Sequence, residues 1–393
     1  MEFFLIGAGM GWEPLLTAQA REAIEEADVV LTTPRLAESL AGIRDDIEAV
    51  PLARLFERAL ECEGRIALLL SGDTGFFSAA KTLYGKLRHH GTVHVLPGMS
   101  SLQVFCSKLG TSYDDAVLLS VHGREGKIVG PVSYNRKVFA LTGGQFKADA
   151  LCMRLLTAGL GNVRVCIGEN LGAPNERIVS GSPEELAHMT FDDLCIMLIV
   201  NDYPADPSRP LRDSDFVRGD VPMTKQEVRW LACDLLSVAP TDIVYDIGAG
   251  TGSVSMDLAR RARSGRVFAV ECDKEALQLI ESNRVRTGSY HVTVVDAMAP
   301  RGLDNLPAPD CAFIGGSKGN MEQIVAALKT KNPAVRIVIS AIALETVDAA
   351  THALRDNGFQ VDISCINVSR ARTVGGYHMM MAQNPVYLIG GNL

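Results

Sequence analysis

The sequence predicts an α/β protein of two domains, each built on a mostly parallel sheet with helices on its faces. The first observation is length, because 393 residues are too many for one ordinary hydrophobic core. The second is the alternation of short apolar runs with helical stretches through both halves, which is typical of parallel sheets. The third is a proline-rich segment without apolar periodicity, residues 204–220, which predicts a linker between domains at 1–203 and 221–393.

In the first half, three apolar runs each lead into a glycine-rich turn. These turns are GAGMG (7–11), SGDTGFFS (71–78) and PGMSS (97–101). A second set of strand and helix units begins near residue 116. Turns that follow strands are where α/β folds place their ligands. The first half is therefore predicted to hold two α/β subdomains with a cleft between them.

The second half is organised around VYDIGAGTG, residues 244–252, which reads as strand, tight turn and helix start. Glycine at alternate positions permits positive φ values and lets a ligand approach bare backbone. A dinucleotide fingerprint would need glycine at 253, where this chain has serine. Asp246 leading into G-x-G-x-G instead resembles motif I of the Rossmann-like methyltransferases that bind S-adenosylmethionine. The sequence thus predicts a seven-stranded Rossmann-like methyltransferase sheet here.

Two further strand ends complete this predicted cofactor site. RVFAVECD ends in Glu271, whose carboxylate can accept hydrogen bonds from both ribose hydroxyls, and HVTVVDA ends in Asp296, placed to meet the adenine amino group. Thr224 followed by Glu227 predicts a capping box, and by resemblance the Thr224 region lies over the cofactor. The predicted cofactor-binding residues of this half are Thr224, Asp246, Gly248, Ala249, Gly250, Thr251, Gly252, Glu271, Asp296 and Ala297.

Composition excludes several classes of function. The net charge is −8, and neither half has a net positive charge, so nucleic acid is not an expected partner. The nine cysteines are scattered without C-x-x-C, which favours free thiols in a reducing compartment. The eight histidines show no ligand spacing, so no metal is expected. No signal segment or apolar run of 18 residues is found, so a cytoplasmic protein without membrane association is expected.

The motifs of residues 1–203 follow one another in the order seen in the tetrapyrrole methylase family, which this half resembles. One departure is Met10, where many relatives have proline. The resemblance implies that S-adenosylmethionine lies in the cleft, with the turn around Gly9 nearer the tetrapyrrole. It implies these cofactor-binding residues: Ser71, Gly72, Asp73, Phe76, Ser100 and Ser101. For Asp73, a turn residue that caps the next helix is an equally simple interpretation.

The second half resembles the decarboxylating methyltransferases of corrin synthesis, through PMTKQEVR, DIGAGTG, ECD and FIGGS. IGGS stands where nitrogen-methylating relatives carry an Asn-Pro-Pro-Tyr type of motif, so carbon methylation is favoured. Together the resemblances imply a bifunctional C-methyltransferase and decarboxylase with two S-adenosylmethionine sites, one per domain. They further imply methylation of meso carbons 5 and 15 of a tetrapyrrole, loss of carbon dioxide from a ring acetate, and a homo-oligomer.

A tetrapyrrole with many carboxylates needs basic residues to bind it. His122 and Arg124 follow a strand end in the first half, and Lys318, Arg370 and Arg372 lie near strand ends in the second. Ordinary surface charge is the alternative for each of them. His378 is expected to be packed, and the sequence assigns no catalytic residue. Two alternative functions stay open: a methyltransferase for another tetrapyrrole, and a scaffold that senses S-adenosylmethionine without turnover.

Overall fold

The structure is a computed structural model that describes residues 1–121 and 127–392. The chain divides into two compact units. The first comprises 1–121, 137–152 and 164–199, and the second comprises 127–136, 153–163 and 200–392. His122 and Arg124, which the sequence predicts to bind substrate, lie outside the described residues.

The first sheet of the first unit has five parallel strands. Their bounds are β1 (Glu2–Gly7), β2 (Val29–Thr32), β3 (Glu48–Ala49), β4 (Arg65–Leu70) and β5 (Thr92–Leu96), in the order β3-β2-β4-β1-β5. The accompanying helices are α1 (Ala18–Glu25), α2 (Pro34–Leu40), α3 (Leu55–Leu60) and α4 (Ala80–Leu87). Phe3 and Leu5 pack into one apolar cluster, and Phe4 and Ile6 into another. From Phe3 to Ile6, β1 is apolar because helices cover both of its faces.

The second sheet also has five strands. They are β6 (Val117–Ser120), β7 (Lys137–Leu141), β8 (Arg164–Glu169), β9 (Arg177–Gly181) and β10 (Cys195–Val200), in the order β6-β7-β10-β8-β9. The helices of this region are α5 (Ser101–Leu109), α6 (Val129–Tyr134), α7 (Ala148–Ala158) and α8 (Pro183–Leu186). Phe105 of α5 lies with its ring centroid 6.5 Å from that of Phe139 in β7.

The second unit contains a seven-stranded sheet. The elements from residue 226 onward are α9 (Gln226–Leu235), β11 (Ile243–Ile247), α10 (Ser253–Arg261), β12 (Arg266–Glu271), α11 (Lys274–Arg286), β13 (Val292–Asp296), β14 (Cys311–Ile314), α12 (Met321–Lys331), β15 (Arg336–Ala341), α13 (Leu344–Asp356), β16 (Gln360–Ile366), β17 (Ser369–Val374), β18 (Tyr377–Ala382) and β19 (Val386–Asn392). Strands β17 and β18 form a separate two-stranded sheet. The strand order is β13-β12-β11-β14-β15-β19-β16, and β19 runs antiparallel to both of its neighbours. The predicted fold class is confirmed. The order reverses direction between β11 and β14, which is where such sheets open a crevice for a ligand.

The segment 204–220, which the sequence predicts as a linker, packs as part of the second unit. Leu211 and Phe216 are buried in the same apolar cluster as Val228 and Leu258. The segment lacks an apolar period because its backbone is largely irregular, so isolated apolar side chains enter the core without a regular spacing.

The predicted capping box at Thr224 and Glu227 is wrong. Helix α9 begins at Gln226 with Lys225 as its N-cap, the Lys225 side chain makes no capping hydrogen bond, and the amide of Gln226 donates to the distant Asp213 carboxylate at 3.0 Å. The Glu227 carboxylate instead accepts a hydrogen bond of 2.6 Å from Arg370, a partner 143 residues away. A charged partner brought in by the fold replaces the local cap that the sequence suggested.

Four further observations concern features named in the sequence analysis. His378 is exposed on β18, so the prediction that it is packed is wrong. All nine cysteines are free, and most of them are buried. None of the described helices is long and apolar enough to cross a membrane. Within residues 1–121 and 127–392, no group of His, Cys, Asp or Glu side chains is placed to hold a metal ion.

Candidate active sites at two cavities

The glycine turn after β11 has the conformation that its spacing predicts. Gly248, Gly250 and Gly252 have φ values of 70°, 55° and 74°. A Cβ atom at position 248 would lie 2.6 Å from the backbone nitrogen of Gly316, which follows β14. Glycine at 248 is thus required both by the turn and by the close approach of the neighbouring loop.

A cavity of about 560 Å³ lies at this turn, within the size range of small-molecule sites. Five of the predicted residues line it: Gly248, Gly250, Glu271, Ala297 and Lys318. The segment Asp220, Val221 and Pro222 also lines it, and a Cβ at Gly250 would be 3.3 Å from the carbonyl oxygen of Pro222. Thr224, which is predicted to lie over the cofactor, does not line the cavity, and the lining residues come from the segment just before it.

Glu271 is the last residue of β12 and lines this cavity, and its carboxylate accepts three hydrogen bonds from backbone amides. Its Oε2 accepts a hydrogen bond from the amide of Gly250 at 2.9 Å. Its Oε1 accepts from the amides of Cys272 and Asp273 at 2.7 and 3.0 Å. A carboxylate has about four acceptor positions, so capacity for a ligand hydroxyl remains. Asp296 is paired in register with Glu271 on the adjacent strand, but it is exposed and does not line the cavity.

Asp246 is fully buried behind the glycine turn. The Ser255 hydroxyl donates to its Oδ2, whereas its Oδ1 has no hydrogen-bond partner. Burial raises the pKa of Asp246 to about 7. The hydroxyl of Thr251, in the same turn, is also buried without a partner. Buried polar atoms are normally paired, so these two atoms fit a site that a polar cofactor completes.

The remaining residues of the motif shape the turn. Ala249 is buried, and Gly252 is the left-handed N-cap residue of α10. Neither of them lines the cavity. Their contribution to cofactor binding therefore stays a prediction.

Lys318 lies at the rim of the same cavity in a strained conformation. Its φ is 47°, which is uncommon for a residue other than glycine. Its ammonium group donates to the Cys272 sulfur at 3.1 Å, and this contact raises the pKa of Lys318 above its usual value. Cys272 also lines the cavity, and nothing in its sequence position had indicated that it would contact Lys318.

Arg370 lies in an ion-pair network away from this cavity. It contacts Asp213 at 3.0 Å and Glu227 at 2.6 Å. Asp213 also pairs with Arg229, which is completely buried and contacts Asp257 as well. Arg370 therefore has a structural role that the sequence did not indicate, and its contact with a substrate carboxylate stays a prediction. Arg372 is exposed on β17.

Another cavity, of about 820 Å³, lies in the first unit and is called the first cavity, whereas the cavity at Gly248 in the second unit is the second cavity. Residues of both sheets line it, among them Ser71 after β4 and Ile196 in β10, as the predicted cleft requires. Four of the predicted cofactor-binding residues are in its wall: Ser71, Gly72, Phe76 and Ser101.

Asp73 and Ser100 do not line this cavity but hold its turns in place. Asp73 accepts hydrogen bonds from the amides of Gly75 at 2.8 Å and Gly98 at 3.1 Å. It therefore connects two turns rather than capping the next helix. Ser100 is the buried N-cap of α5 and forms a capping box with Gln103.

Three glycines bring the ends of β1, β4 and β5 into backbone contact. A Cβ at Gly98 would lie 2.3 Å from the carbonyl oxygen of Gly7 and 2.6 Å from that of Gly72. Gly9 is buried and exchanges two backbone hydrogen bonds with Gly72. Its neighbours Met10 and Gly11 line the cavity, whereas a contact of Gly9 with a tetrapyrrole stays a prediction.

Sequence reasoning missed several residues of this cavity. Arg35 in α2 faces it, and Asn170 lies in its wall with a φ of 49°. Trp12, Phe77 and Leu194 line it and are about half exposed, at 49%, 51% and 50%. An exposed apolar rim marks a surface that binds an apolar partner. Arg35 lies outside every glycine motif, so only its position after β2 could have indicated it.

Backbone strain is concentrated at the two cavities. The described residues include four non-glycine residues with positive φ: Phe77, Asn170, Ser237 and Lys318. All but Ser237 line one of the cavities. Strain of this kind persists where the surrounding structure enforces it, which is commonly at functional sites.

The two parts of the chain match two protein families. Residues 2–187 match the Tetrapyrrole (Corrin/Porphyrin) Methylases, and residues 215–389 match the Precorrin methyltransferase domain. A precorrin-6Y C(5,15)-methyltransferase [decarboxylating] of a Sinorhizobium species is 30% identical over 388 residues, which cover 95% of this chain and 92% of that protein.

Two shorter matches lie within one part of the chain. A probable cobalt-precorrin-6B C(15)-methyltransferase (decarboxylating) of Methanothermobacter thermautotrophicus is 39% identical over 181 residues, 45% of this chain and 93% of its own length. The crystal structure of a precorrin-6Y C5,15-methyltransferase from Geobacter metallireducens is 36% identical and covers 47% of this chain and 97% of that chain, with a TM-score of 0.45.

Proposed function

The chain belongs to the family of decarboxylating precorrin-6Y C(5,15)-methyltransferases, and we propose that its two units divide the reactions of that family. The protein is an S-adenosylmethionine-dependent enzyme of cobalamin biosynthesis that methylates carbons 5 and 15 of precorrin-6Y and removes one carboxyl group. In the proposed division, the first unit methylates carbon 5. The second unit methylates carbon 15 and releases carbon dioxide.

The observation that carries this division is the presence of two separate cavities, each at glycine turns that follow parallel strands. The match of residues 215–389 to a precorrin methyltransferase domain supports the assignment of the second unit. So does the shorter relative, which is named for methylation at carbon 15 and decarboxylation alone.

We infer that each cavity holds one molecule of S-adenosylmethionine, which supplies the methyl group. In the second unit, Gly248 and Gly250 would leave backbone free for it, and Glu271 would accept from its ribose. In the first unit, Ser71, Gly72, Phe76 and Ser101 would hold it. The unpaired oxygens of Asp246 and Thr251 support the site in the second unit.

The chain's own contribution to methyl transfer is alignment and the exclusion of water. The meso carbons of the reduced macrocycle are enamine-like and already nucleophilic, so the enzyme needs no strong base. Holding the reacting atoms in line can supply roughly 7–11 kcal/mol of the barrier. Trp12, Phe77 and Leu194 offer an apolar rim on which the flat ring can pack in the first unit.

Decarboxylation needs an electron sink and an ionised acetate. The conjugated imine of the macrocycle accepts the electron pair when the bond to carbon dioxide breaks. Lys318 would hold the acetate as its carboxylate, because its ammonium group lies at the rim of the second cavity. The raised pKa of Lys318 keeps this group charged.

The experiment that tests the division uses the full chain with one cavity altered at a time. Mass spectrometry follows the product from precorrin-6Y and the methyl donor. Gly248→Ala should leave a product with one added methyl group and no loss of carbon dioxide. Gly72→Ala, in the wall of the cavity of the first unit, should leave one added methyl group together with the loss of carbon dioxide. If either variant abolishes both methylations, the proposed division is wrong.

The same experiment separates an enzyme from a sensing scaffold. A scaffold would bind the methyl donor in both cavities and transfer no label from it to any tetrapyrrole. Transfer of label to a different tetrapyrrole, but not to precorrin-6Y, would identify another substrate.

We also infer a homo-oligomer. The hairpin of β17 and β18 exposes apolar side chains, namely Tyr377, Met379, Met380 and Met381. Contiguous exposed apolar surface is uncommon on a monomer. Sedimentation velocity of the full chain tests this, and a monomer at micromolar concentration would contradict it.

A further inference from the structure

Arg35 occupies a distinctive place in the first unit. It is the second residue of α2, immediately beyond the end of β2. Thr32 of β2 is paired with Leu69 of β4, so the residues that follow the two strands lie side by side. Arg35 accordingly donates a hydrogen bond of 2.9 Å from Nη2 to the hydroxyl of Ser71, and both residues line the 820 Å³ cavity.

This arginine lacks the ion pair that five arginines of the unit have. Those that contact a carboxylate are Arg21, Arg44, Arg58, Arg65 and Arg177. Among the described residues, no carboxylate contacts Arg35, whose side chain makes one hydrogen bond, to a neutral hydroxyl. Loss of hydration lowers the pKa of Arg35, the direction expected for a cation that no anion compensates.

The position of the guanidinium explains why it is both exposed and incompletely hydrated. Arg35 is exposed and lines the cavity, and the surrounding protein atoms reduce the hydration of its guanidinium. Arg35 is the one cation among the described residues that line this cavity, and Glu38, one turn further along α2, is the one acidic residue. A guanidinium has five donors in a planar fork, of which Ser71 uses one.

We propose that Arg35 is the carboxylate-binding residue of the first cavity, where its guanidinium receives a carboxylate of the bound ligand through paired hydrogen bonds. This inference rests on the proposed function, because it assumes that the cavity binds a carboxylate-bearing ligand. Two ligands of that reaction carry the required chemistry. One is the tetrapyrrole with its acidic side chains, and the other is the methyl donor with its amino-acid carboxylate.

The surroundings of Arg35 contact both predicted ligand regions. Its partner Ser71 belongs to the turn predicted to hold the methyl donor. The helix that carries it packs against the turn predicted to face the tetrapyrrole, since a Cβ at Gly11 would be 3.0 Å from Ser39 of α2. The experiment therefore has one arm for each source.

The test compares Arg35→Met, Arg35→Lys and the control Arg88→Met in the full chain. Arg88 is an exposed arginine at the end of α4 in the same unit and does not line the cavity. The first arm measures the KM for precorrin-6Y in methylation at carbon 5. The second measures binding of S-adenosylhomocysteine and of 5′-methylthioadenosine, which lacks the amino-acid part, by two-site calorimetric titration.

If the carboxylate belongs to the tetrapyrrole, Arg35→Met should raise this KM about tenfold to a hundredfold and leave S-adenosylhomocysteine binding unchanged. If it belongs to the methyl donor, Arg35→Met should weaken one S-adenosylhomocysteine site by a similar factor and leave methylthioadenosine binding unchanged. Arg35→Lys should recover part of the loss in either case, because it keeps the charge but not the fork.

The inference is overturned if Arg35→Met matches Arg88→Met in both arms while its melting temperature equals that of the wild type. Failure of the proposed function is a separate result. If the wild type methylates no tetrapyrrole, the titrations with the two adenosine ligands and the quenching of tetrapyrrole fluorescence on binding still measure the effect of Arg35.

Discussion

Asp246 shows how one residue combines a motif position with a buried, incompletely paired carboxyl group. Its pKa of about 7 in the folded protein compares with 3.8 for an unperturbed aspartate. The folded state therefore keeps a proton that the unfolded chain has already lost between about pH 4 and pH 7. Stability contributed by this proton is fully present at low pH and is lost as the pH rises through that window.

We predict that Asp246→Asn removes this contribution to the pH dependence. Between pH 5 and pH 8 the wild type should lose a few kcal/mol more of its free energy of unfolding than the variant does. Urea unfolding at both pH values measures the difference. The exposed Asp304→Asn should keep the wild-type pH dependence. Equal slopes in Asp246→Asn and wild type would show that Asp246 is already ionised near pH 5.

Lys318 allows a second prediction at the scale of one residue. Lys318→Met should raise the KM for the tetrapyrrole in the decarboxylating step about tenfold, because a charge-assisted hydrogen bond is lost. Affinity for S-adenosylhomocysteine should stay unchanged. Arg355→Met, at an exposed position of α13, is the matched control. If the affinity for S-adenosylhomocysteine changed and the KM for the tetrapyrrole did not, Lys318 would be a cofactor-binding residue rather than a substrate-binding one.

At the scale of elements, the ion-pair network joins the irregular segment 204–220 to α9, α10 and β17. Burial alone would raise the pKa of Asp213, but the hydrogen bonds and charges of Arg229 and Arg370 lower it below its usual value overall. The stability that Asp213 contributes is thus present above its unfolded pKa and is lost as the pH falls through its folded pKa. The network thus holds the segment that leads into Asp220, Val221 and Pro222, which line the cavity of the second unit.

Arg229→Met should cost about 3–5 kcal/mol of unfolding free energy, since it leaves Asp213 and Asp257 buried without their shared cation. Arg261→Met removes an ion pair with the exposed Asp234 and should cost less than about 1 kcal/mol. Urea denaturation compares the two variants. Equal losses would mean that the network contributes no more than a surface pair.

The close backbone contact of the turns after β1, β4 and β5 gives a prediction about the stability of the first unit. Gly98→Ala should destabilise the unit by about 1–3 kcal/mol, because its methyl group meets backbone atoms that cannot rotate away. Gly85→Ala lies in α4 with no atom within 4 Å of the added carbon, and it should stabilise the helix slightly. Thermal unfolding distinguishes them, and a neutral Gly98→Ala would show that the three loops can separate.

For the whole molecule, two cavities in two units predict two binding events per chain. Calorimetry should find two molecules of S-adenosylhomocysteine bound to the wild type and one bound to Gly248→Ala. The remaining site in that variant should keep its wild-type affinity, because its lining residues all belong to the first unit. A stoichiometry of one for the wild type would contradict the two-site proposal.

Much of the fold and part of each site could be predicted because they depend on local sequence. Apolar runs and glycine spacing act over a few residues, so the strands, the turn at 248–252 and the position of Glu271 followed from them. The contacts of Arg370 did not, since its partner Asp213 is 157 residues away. The same holds for the capping box predicted at Thr224. It does not form, because Glu227 pairs with the distant Arg370 instead.

The α/β class, the glycine turns at the strand ends and the resemblance to two methyltransferase families follow from the order of the residues alone. Folding adds that Asp73 and Ser100 support turns, that the segment 204–220 joins a core, and that Arg35 lines a cavity. The two groups of features differ in the distance along the chain over which each is set. Backbone conformation follows neighbouring residues, whereas a cavity wall or an ion pair depends on which distant strands become adjacent, as with Arg35 and Ser71, 36 residues apart.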